Sequence, residues 1–249
     1  MKQTLLNSKL IDSLPDGTVR QVSVGMMWTA VVVEIDGSIQ GGIAATLKNP
    51  GYEHSRLPLV SNPGELERFS TRDLAALIQS TSHTEASIGL AAINALLPRQ
   101  PKLYSSIEAA NWLVEHGSQK NVAMVGHFHF IERLQSQVKK LWVLELDPRP
   151  GDFPAQAAPE IIPQADIVAI TATTLINHTC EGLLELCRPD AEVMLLGPST
   201  PLSPVMFGNG VDVLAGTLVE DPFAVARVVT QGGTSSQYKK YTRQVLLQK

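Results

Sequence analysis

Two histidines stand where a nucleotide-binding fold usually carries a glycine-rich turn. The stretch "NVAMVGHFHFIERL" (residues 121–134) reads as a buried strand that passes through a tight turn into a helix, and the turn holds Gly126, His127 and His129. Imidazoles two positions apart in an extended turn can reach the same side of the chain. They could coordinate a divalent transition metal, hydrogen-bond an organic ligand or transfer a proton.

A metal ion held by His127 and His129 would need at least a third ligand. Four side chains could supply it only through the fold: His54, Glu145, Asp147 and His178. The chain has no C-x-x-C or H-E-x-x-H spacing. The residues alone therefore favour one histidine that packs and one that hydrogen-bonds a carbonyl or an organic ligand, with a metal site as the alternative.

The loop "LLGPSTPLSPVMFGNG" (residues 195–210) is a candidate anion receptor. Ser199 and Thr200 precede Pro201, as in a helix N-cap followed by proline at the first helical position, and Ser203 lies in the same loop. Free N–H groups and hydroxyls at a helix start bind phosphate or carboxylate. A proline-stiffened connection without a ligand explains the residues equally well.

Two other loops should lie at the same edge of a sheet. "ITATTLINHTCEGLLELCR" (residues 170–188) gathers Thr173, Thr174 and Asn177 at a helix start, whereas Cys180 and Cys187 fall on its apolar stripe and are expected in the core. "ELDPRPGD" (residues 145–152) follows the second strand of the same series.

Glu145 follows Gly126 by 19 residues, close to the position of the ribose-binding acid in a dinucleotide-binding fold. The G-x-G-x-x-G fingerprint is absent, so a cofactor held by Glu145 is a weaker hypothesis.

The chain divides into two kinds of pattern. Residues 18–47 predict an antiparallel ribbon with a hairpin at Asp36–Gly37, and helical segments capped by Ser70 or Thr71 and beginning near Thr84 follow it. From residue 121 strands alternate with helices, which predicts an α/β Rossmann-like parallel sheet. The candidate strands are Val122–Gly126, Leu141–Leu146, Asp166–Thr171, Glu192–Gly197 and Val211–Thr217. We expect domains at residues 1–100 and 101–249, with the boundary at "PRQPK", and a last helix in the tail from residue 235.

Composition excludes several classes of protein. The 249 residues carry a net charge of −4, which gives no basic face for nucleic acid. No apolar run is long enough to cross a membrane, no signal peptide is visible, and two cysteines make no disulfide framework. We expect a cytoplasmic protein with reduced cysteines.

Several motifs together resemble a known family. "VAMVGHFHFIERL", "DIVAITATTLINHT", "LLGPSTPLSPVMFGNGVDVLAGTLVEDP" and "AAINALL" resemble the heavy-metal chelation family, in which a Rossmann-like domain follows a smaller α+β domain similar to the N-terminal domain of enolase. The resemblance implies two domains with a cleft between them, and a role in heavy-metal handling or anaerobic cobalamin-type cofactor metabolism.

By position, the resemblance places the motifs that line the cleft on nine residues: Gly126, His127, His129, Thr173, Thr174, Asn177, Ser199, Thr200 and Ser203. The smaller domain could add Tyr52, Glu53 or His54, and Asn94 could close the far side.

The leading hypothesis is a protein that binds a metal ion, a metal chelate or a small anionic cofactor precursor in the interdomain cleft. A divalent transition metal on His127 and His129 is the cofactor it suggests, no nucleic-acid or membrane partner is expected, and a homodimer is left open. The alternatives are an enzyme with a cleft histidine as general acid–base on an organic anion, a nucleotide- or adenosylmethionine-binding enzyme with a degenerate fingerprint, and a purely structural role.

Overall fold

The computed structural model describes residues 3–52 and 58–249, with side chains from residue 6 onward. Glu53 and His54, both named above, lie outside the described residues. The chain forms a three-stranded antiparallel sheet with its helices, followed by a seven-stranded sheet. The prediction of a two-domain α/β fold is confirmed.

The antiparallel sheet consists of β1 (Thr18–Val24), β2 (Trp28–Ile35) and β3 (Ser38–Ala45), in that order. Asp36 and Gly37 join β2 to β3 with φ values of 48° and 76°. Positive φ at both central residues is the requirement of a type I′ hairpin turn, which the Asp-Gly pair satisfies. The predicted hairpin is confirmed.

Three helices accompany this sheet: α1 (Gln3–Asp12), α2 (Thr71–Ala76) and α3 (His83–Leu96). Ser70 caps α2 by accepting a hydrogen bond from the N–H of Asp73, which decides between the two predicted caps. α3 packs on the sheet so closely that a Cβ at Gly42 would lie 2.2 Å from the carbonyl oxygen of Ala91. α1 was not predicted from the sequence.

The larger sheet has the strand order β10-β9-β8-β7-β4-β5-β6. Its strands are β4 (Asn121–Val125), β5 (Lys140–Glu145), β6 (Phe153–Pro154), β7 (Ile167–Thr171), β8 (Glu192–Leu196), β9 (Val213–Val219) and β10 (Thr242–Gln248). All five predicted strands are present, displaced by at most two residues at an end. Neighbouring strands are parallel except for β9 and β10. The order reverses between β4 and β7, which makes the carboxyl ends of these strands the expected place for a ligand.

The helices of this half are α4 (Ala109–Gly117), α5 (Ile131–Gln135), α6 (Ala158–Ile161), α7 (Cys180–Glu185), α8 (Pro222–Thr230) and α9 (Ser235–Tyr238). The predicted last helix is wrong beyond α9, because residues 242–248 pair with β9 as β10. Val245, Leu246 and Leu247 are buried in succession, which is typical of a strand covered on both faces. β6 and α6 were not predicted.

α8 covers the face of the antiparallel sheet that α3 leaves open. Ala30, Val32 and Ile43 of that sheet form one buried cluster with Val225 and Val229 of α8. The second domain therefore completes the core of the first. None of the helices in the described ranges combines the length and apolarity that a membrane span requires.

Candidate functional site at the carboxyl edge of the sheet

Gly126 makes the tight corner after β4. Its φ of 106° is strained for any residue with a side chain, and a Cβ there would lie 3.0 Å from the Cβ of Thr171 at the end of β7. The N–H of Gly126 donates to the carbonyl of Leu144 at 2.9 Å, which extends the pairing with β5 by one residue. The corner therefore directs residues 127–130 past the carboxyl edge of the sheet, at the place where the strand order reverses.

Glu145 fixes this corner from the neighbouring strand. Its Oε1 accepts a hydrogen bond from the N–H of His127 at 2.7 Å, and its Oε2 accepts one from the N–H of Leu146 at 3.0 Å. Both carboxylate oxygens therefore have backbone partners. A ribose hydroxyl would have to compete with these bonds, which weighs against the dinucleotide hypothesis.

His127 makes a contact that the sequence did not predict, with Asp152. The Nδ1 atom of His127 lies 3.2 Å from Oδ2 of Asp152, whose side chain is 6% exposed. The same Oδ2 accepts the N–H of Arg149 at 3.1 Å, which fixes the carboxylate in its loop. A carboxylate can only accept, so in the neutral imidazole Nδ1 of His127 carries the hydrogen and Nε2 has the lone pair.

The histidine groove is a cavity of about 440 Å³ beside this corner. Its described walls include the 127–130 loop, Gly197 and Pro198 after β8, the start of α4, parts of β9 and β10, Trp28 and Lys239. The rings of Phe128 and Phe130 stack with centroids 5.5 Å apart, and the exposed ring of His129 packs edge-on against Phe130. His127 and His129 therefore both line one groove.

The start of α4 adds a positive electrostatic field to the groove. Glu108, Ala109 and Ala110 line it, and no side-chain hydrogen bond caps the helix at Glu108. Uncapped N–H groups and the helix dipole favour negative charge at this end, and Lys239 lines the same groove. The groove therefore combines aromatic surface with the charge of Lys239, the free N–H groups of α4 and one carboxylate, that of Glu108.

The threonines and Asn177 after β7 bond to their own loop. Thr173 Oγ1 lies 3.0 Å from Thr171 Oγ1, and Thr174 Oγ1 donates to the carbonyl of Thr171 at 2.7 Å. Asn177 Oδ1 accepts from the N–H and the hydroxyl of Thr179. These side chains are not among the described residues that line the histidine groove, so their role in ligand binding stays a prediction.

The predicted helix start at Ser199 and Thr200 is wrong. Ser203 caps the helical segment Pro204–Asn209 by accepting from the N–H of Val205 at 3.3 Å, so the helix begins one proline later than expected. Ser199 is instead buried at the domain junction, where its Oγ accepts the N–H of Ala45 at 2.9 Å.

Asn94 lies on the far side of Ser199, in the same junction. Its Nδ2 donates to the carbonyl oxygens of Ile43 and Ser199, at 2.9 and 3.0 Å. Asn94 Oδ1 and the buried hydroxyl of Thr200 have no partner among the described residues, and both residues line a cavity of about 20 Å³. A space of that size holds one water molecule, which these two atoms could share.

The described residues do not form a site for a bare metal ion with three protein ligands: no three His, Cys, Asp or Glu side chains among them come together in that way. Burial raises the pKa of the Cys180 thiol to about 12 and that of Cys187 to about 11, so neither supplies a thiolate near neutral pH.

Tyr52 contacts Lys48 through its ring. His178 bonds elsewhere, to the carbonyl of Ser80.

The fold and the groove define a two-domain α/β protein with a polar-aromatic groove at the carboxyl edge of its parallel sheet. Two family models, each with the description "Putative heavy-metal chelation", match residues 8–97 and 109–248. The chain belongs to this family.

Relatives and solved structures share its whole length. An uncharacterised protein of Methanocaldococcus jannaschii is 25% identical, over 98% of this chain and 96% of the relative. A crystal structure of a family member of unknown function from Desulfitobacterium hafniense has a TM-score of 0.83 at 27% identity, covering 100% of this chain and 99% of that one. A second, from Pyrococcus horikoshii, has a TM-score of 0.85 at 18% identity with both chains fully covered and shows the fold alone.

Proposed function

We propose that the protein binds a metal chelate, or another small organic anion, in the histidine groove, with His127 as the principal polar contact. The observation that carries the proposal is the hydrogen bond from His127 Nδ1 to Asp152, which leaves the Nε2 lone pair available. A carboxylate partner of this kind fixes the orientation of an imidazole and raises its basicity as a metal ligand. The cargo would belong to heavy-metal handling or to cobalamin-type cofactor metabolism, in the cytoplasm.

The groove suits an organic molecule better than a bare ion. Its volume of about 440 Å³ falls within the usual range for small-molecule sites. Phe128, Phe130 and Trp28 offer flat apolar surface. Lys239 and the free N–H groups at the start of α4 attract negative charge, which the Glu108 carboxylate in the same wall partly offsets. A metal that arrives with ligands of its own needs only one donor from the protein. His127 can supply that donor without the third ligand that the described residues lack.

The test uses Cu²⁺–dipicolinate, a planar aromatic chelate that leaves one equatorial position open. We expect one chelate to bind per chain with a single imidazole nitrogen in the pulsed EPR spectrum. His127→Ala should weaken calorimetric affinity by about tenfold or more, and Asp152→Asn by about tenfold, because metal affinity depends on the orienting partner as well as on the ligand.

His116→Ala is the matched control. His116 is also partly exposed, but its ring stacks on Trp112 with centroids 3.9 Å apart, away from the groove. This variant should bind the chelate as tightly as the wild type does. Equal losses in His116→Ala and His127→Ala, or no loss in either, would rule out the groove as the chelate site.

General acid–base catalysis on an organic anion is the second candidate, favoured by the same His127–Asp152 contact. The measurement is exchange of the C3 hydrogens of pyruvate in D₂O, followed by NMR. Hydrogen exchange that is faster than in buffer with the wild type, and that falls to the buffer rate in His127→Ala, would support general acid–base catalysis. Exchange at the buffer rate with the wild type would contradict catalysis and leave ligand binding as the proposed function.

A further inference from the structure

His83 and His178 face each other where the two domains meet. His83 is the first residue of α3, and His178 follows β7 in the other domain. The centroids of the two imidazole rings are 6.5 Å apart and their planes are inclined by 72°. Both residues are half-buried.

Each ring has one nitrogen committed to a backbone carbonyl. His178 Nε2 lies 2.8 Å from the oxygen of Ser80, and His83 Nδ1 lies 3.4 Å from the oxygen of Lys48. A carbonyl only accepts hydrogen bonds, so these nitrogens carry the hydrogens. In the neutral imidazoles, the other two nitrogens, His178 Nδ1 and His83 Nε2, have the lone pairs that coordinate metals.

The backbone around both residues is held firmly. His178 has a φ of 62°, in the left-handed region that few residues other than glycine adopt but that histidine adopts more often than most. Asn177 holds this turn through its bonds to Thr179. On the opposite side, the N–H of His83 donates to Oδ1 of Asn49 at 2.9 Å.

We propose that His83 and His178 form a second site, which takes a hydrated divalent transition metal ion through His83 Nε2 and His178 Nδ1. Metal–imidazole bonds of about 2.0–2.1 Å place two rings on one tetrahedral ion with centroids about 5 Å apart. From 6.5 Å, the rings need to approach by roughly 1–1.5 Å, a movement within reach of side-chain rotation.

The chemistry of the pair selects the kind of ion. Two neutral imidazoles favour Cu²⁺, Ni²⁺ and Zn²⁺, whereas Mg²⁺ and Ca²⁺ prefer oxygen ligands. Two imidazoles are one protein ligand fewer than the three that a tightly held ion requires, so water fills the remaining positions and the ion binds weakly and exchanges readily. Because the ligands come from both domains, bound metal should also hold the domains together. This site does not depend on the histidine groove, which takes a metal already held by a chelator.

The experiment is titration of tag-free protein with Cu²⁺ alone, read by calorimetry and by pulsed EPR, which counts coordinated imidazoles. We expect a two-imidazole signal in the wild type. His83→Gln and His178→Asn should each reduce the signal to one imidazole and weaken the affinity by about tenfold or more. Asparagine is chosen at position 178 because it tolerates the left-handed conformation, and circular dichroism checks that both variants fold.

His116→Ala is the control, because it also removes one imidazole, one that lies against Trp112, and it should keep the two-imidazole signal. If the signal persists in both His83→Gln and His178→Asn, or if the wild type binds no Cu²⁺ through two imidazoles, the second site does not exist. If His127→Ala binds Cu²⁺–dipicolinate as tightly as the wild type while the two-imidazole Cu²⁺ signal is intact, the proposed function fails and the second site stands.

Discussion

The histidine groove and the domain junction both contain residues that the sequence singled out, but they use polar groups in opposite ways. In the groove, the contact with Asp152 leaves one nitrogen of His127 free for a ligand. At the junction, Ser199 Oγ accepts the N–H of Ala45 and Asn94 Nδ2 donates to the carbonyl of Ser199, so each side chain bonds to a backbone group of the other domain. Substitutions in the two regions should therefore have different effects. Junction variants should lose stability, and groove variants should lose ligand affinity.

The largest effect is expected at Gly42, where β3 meets α3. Gly42→Ala adds a Cβ 2.2 Å from the backbone oxygen of Ala91 and the backbone nitrogen of Ala95, so the helix must move away from the sheet. We expect a loss of about 3 kcal/mol in the free energy of unfolding, measured with urea. Unchanged stability would mean that α3 lies farther from the sheet than described.

Asn94→Ala should have the next largest effect. It removes the donor from the carbonyls of Ile43 and Ser199 at once, and buried acceptors without a partner cost about 1–3 kcal/mol. Urea unfolding should show a loss of about 2 kcal/mol, with binding of Cu²⁺–dipicolinate unchanged. A fall in chelate affinity in the folded variant would show that the domain junction also affects ligand binding, so that the two regions do not have separate roles.

Ser199→Ala should cost less, about 1 kcal/mol, because only the N–H of Ala45 loses its acceptor. Thermal unfolding of this variant beside Asn94→Ala measures the difference. An effect larger than that of Asn94→Ala would show that the hydroxyl, rather than the amide, is the main tie between the domains at this point.

Thr200→Val should have the smallest effect. The buried hydroxyl of Thr200 has no partner among the described residues, and valine has nearly the same shape. We expect a change in unfolding free energy within about 1 kcal/mol, in either direction. A larger loss would indicate a buried water that Thr200 and Asn94 share in the small cavity.

The strands and the ribbon were predictable because their signals are local. Alternating strands and helices indicated the parallel sheet, and Asp36–Gly37 indicated the hairpin that the structure contains. The tail was misassigned because only pairing with β9 makes residues 242–248 a strand. The sequence offered no local signal that Val245 and its neighbours would be covered on both sides.

The site was only partly predictable, for the same reason. The sequence pointed to the loop at residues 145–152, but not to Asp152, which reaches His127 across 25 positions of the chain. Ser199 and Thr200 look like a helix cap, although Ser203 takes that role because only Pro204 begins the helical segment. One of these serines caps a helix and another bonds to the other domain. Tertiary contacts decide which does which, and the spacing of residues along the sequence does not reveal them.

The packing of α8 on the antiparallel sheet also determines when, during synthesis, the core of the first domain can be completed. Residues 18–45 leave the ribosome long before Pro222–Thr230, which supply the apolar partners of Ala30, Val32 and Ile43. Until then one apolar face of the antiparallel sheet is exposed to solvent and can associate non-specifically with other chains. A nascent or truncated chain that ends before residue 222 should therefore be a target for chaperones and proteases rather than a stable intermediate.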